Sequence, residues 1–374
     1  MGMEKDSMSE GPVGALRVSD HLSMRRDNFL LLRIVAALAV IYGHSFALAK
    51  PDGSQDLFIR LGWPMYSGDI AVAMFFVISG FMVSGSFLAR GDVIDFAKAR
   101  LLRIVPAFAA VLLASAFVIG PLSTQASLGE YLRNPEVAAY VWKNLRFSSD
   151  MAWQLPGVFK DHVRDAVNGS IWTLPAEMRM YLLTAALGVF GLLGRRWLGT
   201  ASIAGLAWLG IAHPEFIPLH QDWFRLAGYF LLGILVQLHK DELRIGHAAM
   251  AMLALLVYLS MRTQSVPYLF AIALAYFCFW FAYRVPAWKR LERWGDPSYG
   301  IYLWGWPVQQ LVVSAVPDAR PWHNFLMAAV VAVGLGYLSW WSLERPALKL
   351  KDWRPGFLSR SMPRRAPQRG VESP

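Results

Sequence analysis

Residues 30–49, LLLRIVAALAVIYGHSFALA, form an apolar stretch that carries one arginine, Arg33, and one histidine, His44. At 1.5 Å per residue such a stretch covers about 30 Å, the thickness of a bilayer's hydrocarbon core, so it reads as a membrane-spanning helix. Eleven residues separate Arg33 from His44. That is three helical turns plus about 20°, so both point the same way, roughly 16 Å apart along the axis. Ionisable groups inside lipid are costly (about 2.5–3.5 kcal/mol for a central Arg on insertion scales), so each calls for a partner or a purpose. One helix therefore presents a cation near one end and a base near the other.

The composition extends this reading to the whole chain. Of 374 residues, 56% are hydrophobic, 14% aromatic and only 17% charged. Soluble domains run nearer a quarter charged, and long apolar runs recur here, so the chain reads as all-α: a polytopic membrane helical bundle. The first 28 residues are polar and the first apolar run is long enough to span, so no cleavable signal is expected. The single cysteine, Cys278, lies in an apolar run and says nothing about redox compartment. The net charge of +10 would suit a nucleic-acid binder, but its distribution fits membrane topology, and no nucleic-acid partner is expected.

About ten transmembrane helices are expected, near 29–48, 69–89, 104–121, 171–193, 197–212, 223–239, 246–262, 266–283, 298–316 and 324–343. The fifth is short enough to be re-entrant, which would alter the parity of all that follows. The charges argue against that. With the N-terminus cytoplasmic, the inside segments hold Arg25 and Arg26; Arg90, Lys98, Arg100 and Arg103; Arg195 and Arg196; Lys240 and Arg244; Arg284, Lys289, Arg290 and Arg293; and a basic tail from Lys349. The short outside loops hold only Lys50 and Arg60, then Arg262, then Arg320. This alternation is the positive-inside rule, and it places both termini in the cytoplasm. Residues 1–28 read as a cytoplasmic segment, 29–346 as the transmembrane domain and 347–374 as a basic, disordered tail on the anionic inner leaflet. Within the domain, 122–170 form one long external segment rich in aromatics and proline. Two readings stand for it, an amphipathic interfacial cover or an acceptor-binding lid.

Of eight histidines, only His44 sits well within an apolar span. Imidazole is the side chain best suited to general-base work near neutral pH, and membrane depth favours a functional role. Acids inside spans are as sparse: Asp69, Glu177 and Glu344. Glu177 follows Trp172, read as an interfacial anchor, by five residues, which predicts a depth similar to that of His44 on the same side. A carboxylate there would orient the imidazole and stabilise its protonated form. The alternative is a structural bridge from Glu177 to Arg225. Arg100 and Arg103, three apart in KARLLRIVP, share a helix face as a phosphate-binding pair would; ordinary positive charge beside headgroups is the plainer reading. With Arg33 at the same end, they offer a seat for an anionic cofactor. There is no Gly-rich phosphate loop, CxxC pair or HExxH, and His213, Glu215, His220 and Asp222 fit no zinc spacing, so no metal is predicted. Ser79–Gly80 and Ser84–Gly85 read as close-packing helix contacts rather than nucleophiles.

Taken in order, these segments resemble the integral-membrane acyltransferase-3 family, bacterial enzymes that O-acylate carbohydrates and other cell-surface molecules. The resemblance covers about residues 25–346. It rests on Arg-x10-His (Arg33, His44), FFVISGFM (Phe75–Met82), Arg-x-x-Arg (Arg100, Arg103), WTLPAEMRMYL (Trp172–Leu182) with Glu177, SYGIYLWGWP (Ser298–Pro307) and Glu344-Arg345-Pro346. Two positions depart from it. Many relatives have an acid just before the Phe-Phe pair, where this chain has Ala73 and Met74, and a His where it has Gly305. No role at those positions carries over. No second catalytic domain of the SGNH type follows the tenth span, so a reaction relying on one would need a separate protein.

The resemblance implies a multi-pass protein of the bacterial cytoplasmic (inner) membrane that moves an acyl group, acetyl by expectation, from acyl-CoA to a carbohydrate hydroxyl. The acceptor would be lipid-linked, an exopolysaccharide or a lipopolysaccharide. A sugar hydroxyl is a poor nucleophile at neutral pH, so a base must take its proton as it attacks the thioester. His44 is the expected base and Glu177 its partner; Arg33, Arg100 and Arg103 would hold CoA. The rival from another class is a transporter or flippase with His44 and Glu177 as a proton relay. Acyl transfer to a lipid or small molecule keeps the chemistry and changes the acceptor.

Overall fold

The computed structural model describes residues 16–24, 27–216 and 220–353. Arg25, Arg26, most of the expected tail and most of the first 28 residues lie outside the described residues. The architecture is an all-α, polytopic membrane bundle. Its ten long helices are α1 (Phe29–Leu48), α2 (Ser67–Arg90), α3 (Val93–Ala114), α4 (Leu174–Val189), α5 (Arg196–Ala212), α6 (Gln221–Leu238), α7 (His247–Ser260), α8 (Val266–Arg284), α9 (Ser298–Ala315) and α10 (Pro321–Ser339). Among the described residues, five segments are long and apolar enough to cross a membrane by length and composition: α1, α2, α3 continued to Ser123, α8, and α10 continued to Lys349. Among the described residues the only strands are Leu16–Arg17 and Arg244–Ile245, which pair antiparallel and tie the N-terminal segment to the α6–α7 connection.

The core of the bundle is α1, α2, α6, α9 and α10. Small residues set the distances within it. A Cβ on Gly80 of α2 would lie 2.0 Å from the Phe230 carbonyl oxygen of α6, so only glycine lets these two backbones meet. This agrees with reading Ser79–Gly80 as a packing contact, and Ser84 turns its hydroxyl back to the Gly80 carbonyl at 2.6 Å.

Two expected boundaries move, and both moves matter for the site. The third helix begins at Val93 instead of 104. Gly91, with φ at 64°, ends α2, and the Asp92 side chain then caps α3 by accepting from the Ile94 and Asp95 amides. Arg100 and Arg103 therefore lie two to three turns inside a helix.

The fourth span, expected over 171–193, is the sixteen-residue α4, preceded by a 3-10 turn at Gly169–Thr173. The chain leading to that turn already runs down the side of α9. Gln310 donates to the Arg164 carbonyl at 2.7 Å, Trp306 to Ala166 at 2.8 Å, Asn168 to Leu303 at 3.0 Å, and Tyr302 to Ser170 at 2.5 Å. Each contact is further toward the start of α9 than the one before. Side chains of α9 thus satisfy the carbonyls of Arg164, Ala166 and Ser170, and Asn168 donates back to α9, as buried irregular backbone requires. The first half of the external segment behaves differently. It forms helices Leu128–Arg133 and Pro135–Leu145, anchored by the buried Tyr131 and Tyr140; the Tyr131 hydroxyl donates to the Ala116 carbonyl at 2.7 Å, in the π-helical turn Ser115–Ile119 that follows α3.

Candidate active site

One cavity of about 130 Å³ lies among α1, α2, α3, α4 and α9. By a water's share of liquid volume, about 30 Å³, that is room for roughly four waters. Arg33, Arg100, Arg103 and Glu177 all line it, with Tyr181, Tyr299, Tyr302 and Thr173. Phe75, Phe76, Ile78 and Met82 of α2 make its apolar wall. The helical spacing that puts Arg100 and Arg103 on one face of α3 aims both at Arg33, which sits one turn into α1.

The three arginines are not equivalent. Arg33 donates to Asp296 Oδ2 at 2.7 Å, and Arg103 donates to the same oxygen at 2.9 Å. Through its other terminal nitrogen Arg103 reaches Glu344 Oε2 at 2.8 Å. Glu344 is fully buried and its second oxygen accepts from Ser339 at 3.0 Å. Two guanidinium groups thus face two carboxylates, a locally neutral set joining α1, α3, the start of α9 and the end of α10. Burial disfavours the Asp296 charge, but Arg33 and Arg103, with two hydrogen bonds from Ser298, hold its carboxyl well below the usual carboxylate range. Arg100 has no carboxylate within ion-pair distance among the described residues. Its Nε is buried without a hydrogen-bond partner, and its guanidinium lies 5.9 Å from the Tyr181 ring and 6.0 Å from the Phe96 ring.

Glu177 is where the sequence reading and the structure part. The expected depth beside His44 assumed that Trp172 marked the outer interface. Because the chain has already descended along α9 before α4 begins, Glu177 lies at the arginine end instead. It accepts from the Tyr181 hydroxyl at 2.5 Å and forms no hydrogen bond or ion pair with His44. The alternative bridge to Arg225 is not formed either: Arg225 pairs with Asp69 at 3.3 Å and Asp222 at 3.5 Å.

His44 lies outside the cavity lining. It is buried in the other half of α1, its ring edge-on to Trp306 with centroids 4.8 Å apart, and its Nδ1 is buried without a hydrogen-bond partner. Trp306 is positioned on its other side: a Cβ on Gly169 would lie 2.6 Å from its ring, so the descending segment can pass only as glycine. Tyr302, one turn before Trp306 on α9, lines the cavity with Phe75, and their rings lie 6.0 Å apart. Tyr302 gives its single proton to the Ser170 carbonyl, so Thr173, at 2.7 Å, is the donor in their pair. The departure at Gly305 also has a place: a Cβ there would meet Ile41 at 2.7 Å, on the turn of α1 before His44. Among the described residues no group of three or more His, Cys, Asp or Glu is placed to hold a metal.

Asp296 stands in a connection between spans, where a carboxylate gives no sequence sign of burial. Its position two residues before SYGIYLWGWP was the available signal. The tyrosines of the cavity carried no sequence signal beyond belonging to those apolar segments.

Fold and site together define a polytopic helical membrane protein with a buried arginine pocket and a separate buried histidine on one helix. A family model described as "Acyltransferase domain" matches residues 27–341, and the chain belongs to that family, acyltransferase-3. It is 26% identical over 353 residues to an O-acetyl transferase of Shigella phage Sf6, covering 91% of this chain and 99% of the relative. It is 28% identical over 369 residues to nodulation protein 10 of Rhizobium leguminosarum bv. viciae, covering 89% and 96% respectively. No solved structure gives a significant match. The protein is thus a multi-pass membrane acyltransferase.

Proposed function

We propose that this protein transfers an acetyl group from acetyl-CoA to a hydroxyl of a carbohydrate at the bacterial inner membrane, with the arginine end of α1 cytoplasmic. The similarity to a phage O-acetyl transferase supports the acetyl group and the oxygen acceptor. The observation that carries the donor is Arg100, without a carboxylate partner among the described residues, in a cavity lined by two further arginines. Arg100 meets an anionic group of CoA, while Arg33 and Arg103, matched by Asp296 and Glu344, frame that end of the cavity.

Arg33 and His44 lie roughly 16 Å apart along α1, which an extended pantetheine arm spans. The thioester reaches His44 by passing Tyr302 and Phe75. There the acceptor oxygen attacks the thioester carbonyl, His44 takes the hydroxyl proton, and the C–S bond breaks. The proton then passes to the departing thiolate, leaving an ester and free CoA. The experiment is transfer of radiolabelled acetyl from acetyl-CoA to exopolysaccharide or lipid-linked glycan by the purified protein in lipid nanodiscs. Labelled ester formed by wild type and not by His44→Ala is the expected result; equal labelling by both overturns the role of His44. Absence of any acetyl-CoA consumption, with glycan moved across vesicles, would make the protein a transporter.

A further inference from the structure

We propose that Asp296 is a positioning residue for the donor pocket: it clamps Arg33 of α1 to Arg103 of α3, and so leaves Arg100 as the cation that meets the donor's phosphate. The inference rests on the acyl-CoA reading and concerns a residue that reading does not use.

The geometry is specific. A single oxygen, Oδ2, accepts from both guanidinium groups, at 2.7 Å and 2.9 Å. The other oxygen, Oδ1, is fixed by the Ser298 amide at 3.2 Å and its hydroxyl at 2.6 Å, so the carboxylate is held from the first turn of α9. Nothing but that carboxylate separates two like charges that both line the cavity. Arg103 is further fixed by Glu344, and its guanidinium lies 5.7 Å from each of the Tyr299 and Trp340 rings. With Arg103 immobilised, Arg100, three residues earlier on the same face, is aimed at Tyr181 and the cavity. Removing the Asp296 charge leaves Arg33 and Arg103 repelling each other in a poorly screened site, and Arg33, lacking a second carboxylate, swings away. The positive end of the cavity then loses its shape as well as its counter-charge.

The test is Asp296→Asn, which keeps the side chain's size and its acceptor for Ser298. CoA binding is measured by calorimetry in nanodiscs and acetyl transfer by steady-state kinetics, on protein that is monodisperse by gel filtration. The expected result is CoA binding and KM for acetyl-CoA weakened at least about tenfold, the size of one charge-assisted contact, with kcat within about threefold and partial recovery in Asp296→Glu. Unchanged affinity overturns the proposal even if thermal stability drops, because a purely structural role would show only that drop. Tighter binding also overturns it, since Asp296 would then be competing with the donor. If Asp296→Asn does not fold, Ser298→Ala keeps the charge but loosens Oδ1, and weaker CoA binding by about 2- to 10-fold is expected; no change overturns the clamp. CoA that fails to bind the wild type overturns the donor reading itself, and the clamp's role with it.

Discussion

The two ends of α1 solve the same problem in opposite ways. At the arginine end, Arg33 and Arg103 share Asp296, Arg103 also holds Glu344, and even Glu177 accepts from Tyr181. At the histidine end, His44 touches Trp306 edge-on and keeps a buried nitrogen without a partner. Burying charge is tolerable when geometry and hydrogen bonds are complete, and a completed set is also rigid. A neutral imidazole costs far less to bury, so it is the group that a membrane enzyme can leave open for a proton. In the proposed function the first end holds the donor and the second takes the proton.

Substitutions at the two ends should therefore fail in different kinetic parameters. The largest effect is expected from His44→Ala: acetyl transfer falls by about 10²- to 10⁴-fold, the usual weight of a general base, while CoA affinity measured by calorimetry is unchanged. A parallel loss of CoA affinity would erase the division between the ends. Arg100→Ala comes next. A charge-assisted contact contributes about 1.5–3 kcal/mol, so KM for acetyl-CoA should rise roughly 10- to 100-fold with kcat nearly constant. Glu177→Gln sharpens the division further. Its place beside Tyr181 predicts a change in KM, and a collapse of kcat like that of His44→Ala would return Glu177 to the histidine.

Trp306→Phe tests what orients His44. It removes one of the two donors to the Ala166 carbonyl, leaving Gln310, and loosens the imidazole's neighbour. A fall in kcat of about 2- to 10-fold with unchanged CoA affinity is expected. The smallest effect is on acid stability. Because Arg33 and Arg103 hold the folded Asp296 carboxyl below its ordinary range, its contribution is fully present above the unfolded pKa of about 3.9 and is lost as pH falls below it. Asp296→Asn should accordingly show a flatter melting-temperature profile on acidification than wild type, and parallel profiles would remove this contribution.

The long external segment repeats the contrast between closed and open structure. Its first half folds into two helices anchored by Tyr131 and Tyr140. Its second half gives up helix and descends beside α9 to Ser170, because Gln310, Trp306, Asn168 and Tyr302 supply or stabilise the hydrogen bonds that a helix would have made internally. Sequence gave no warning of this descent. Trp172 looked like a headgroup anchor, and from that single misplacement followed the wrong depth for Glu177. Asp296 escaped for a related reason: a charged residue in a basic connection is ordinary until two arginines from other helices are seen to meet it.

What the sequence by itself determined is everything governed by local period and solvent. Runs of apolar residues forced helices of spanning length, the 3.6-residue repeat aligned Arg33 with His44 and Arg100 with Arg103, and the order of motifs resembled one family. Tertiary structure alone decided which charges meet. Arg33, Arg103, Asp296 and Glu344 come from segments up to 311 positions apart (344 less 33), and no helical period relates them. The same holds for Glu177, whose neighbours were set by the path of the chain before α4. Buried charge is satisfied through space, so the partners of α1 became visible only when the helices were packed around it.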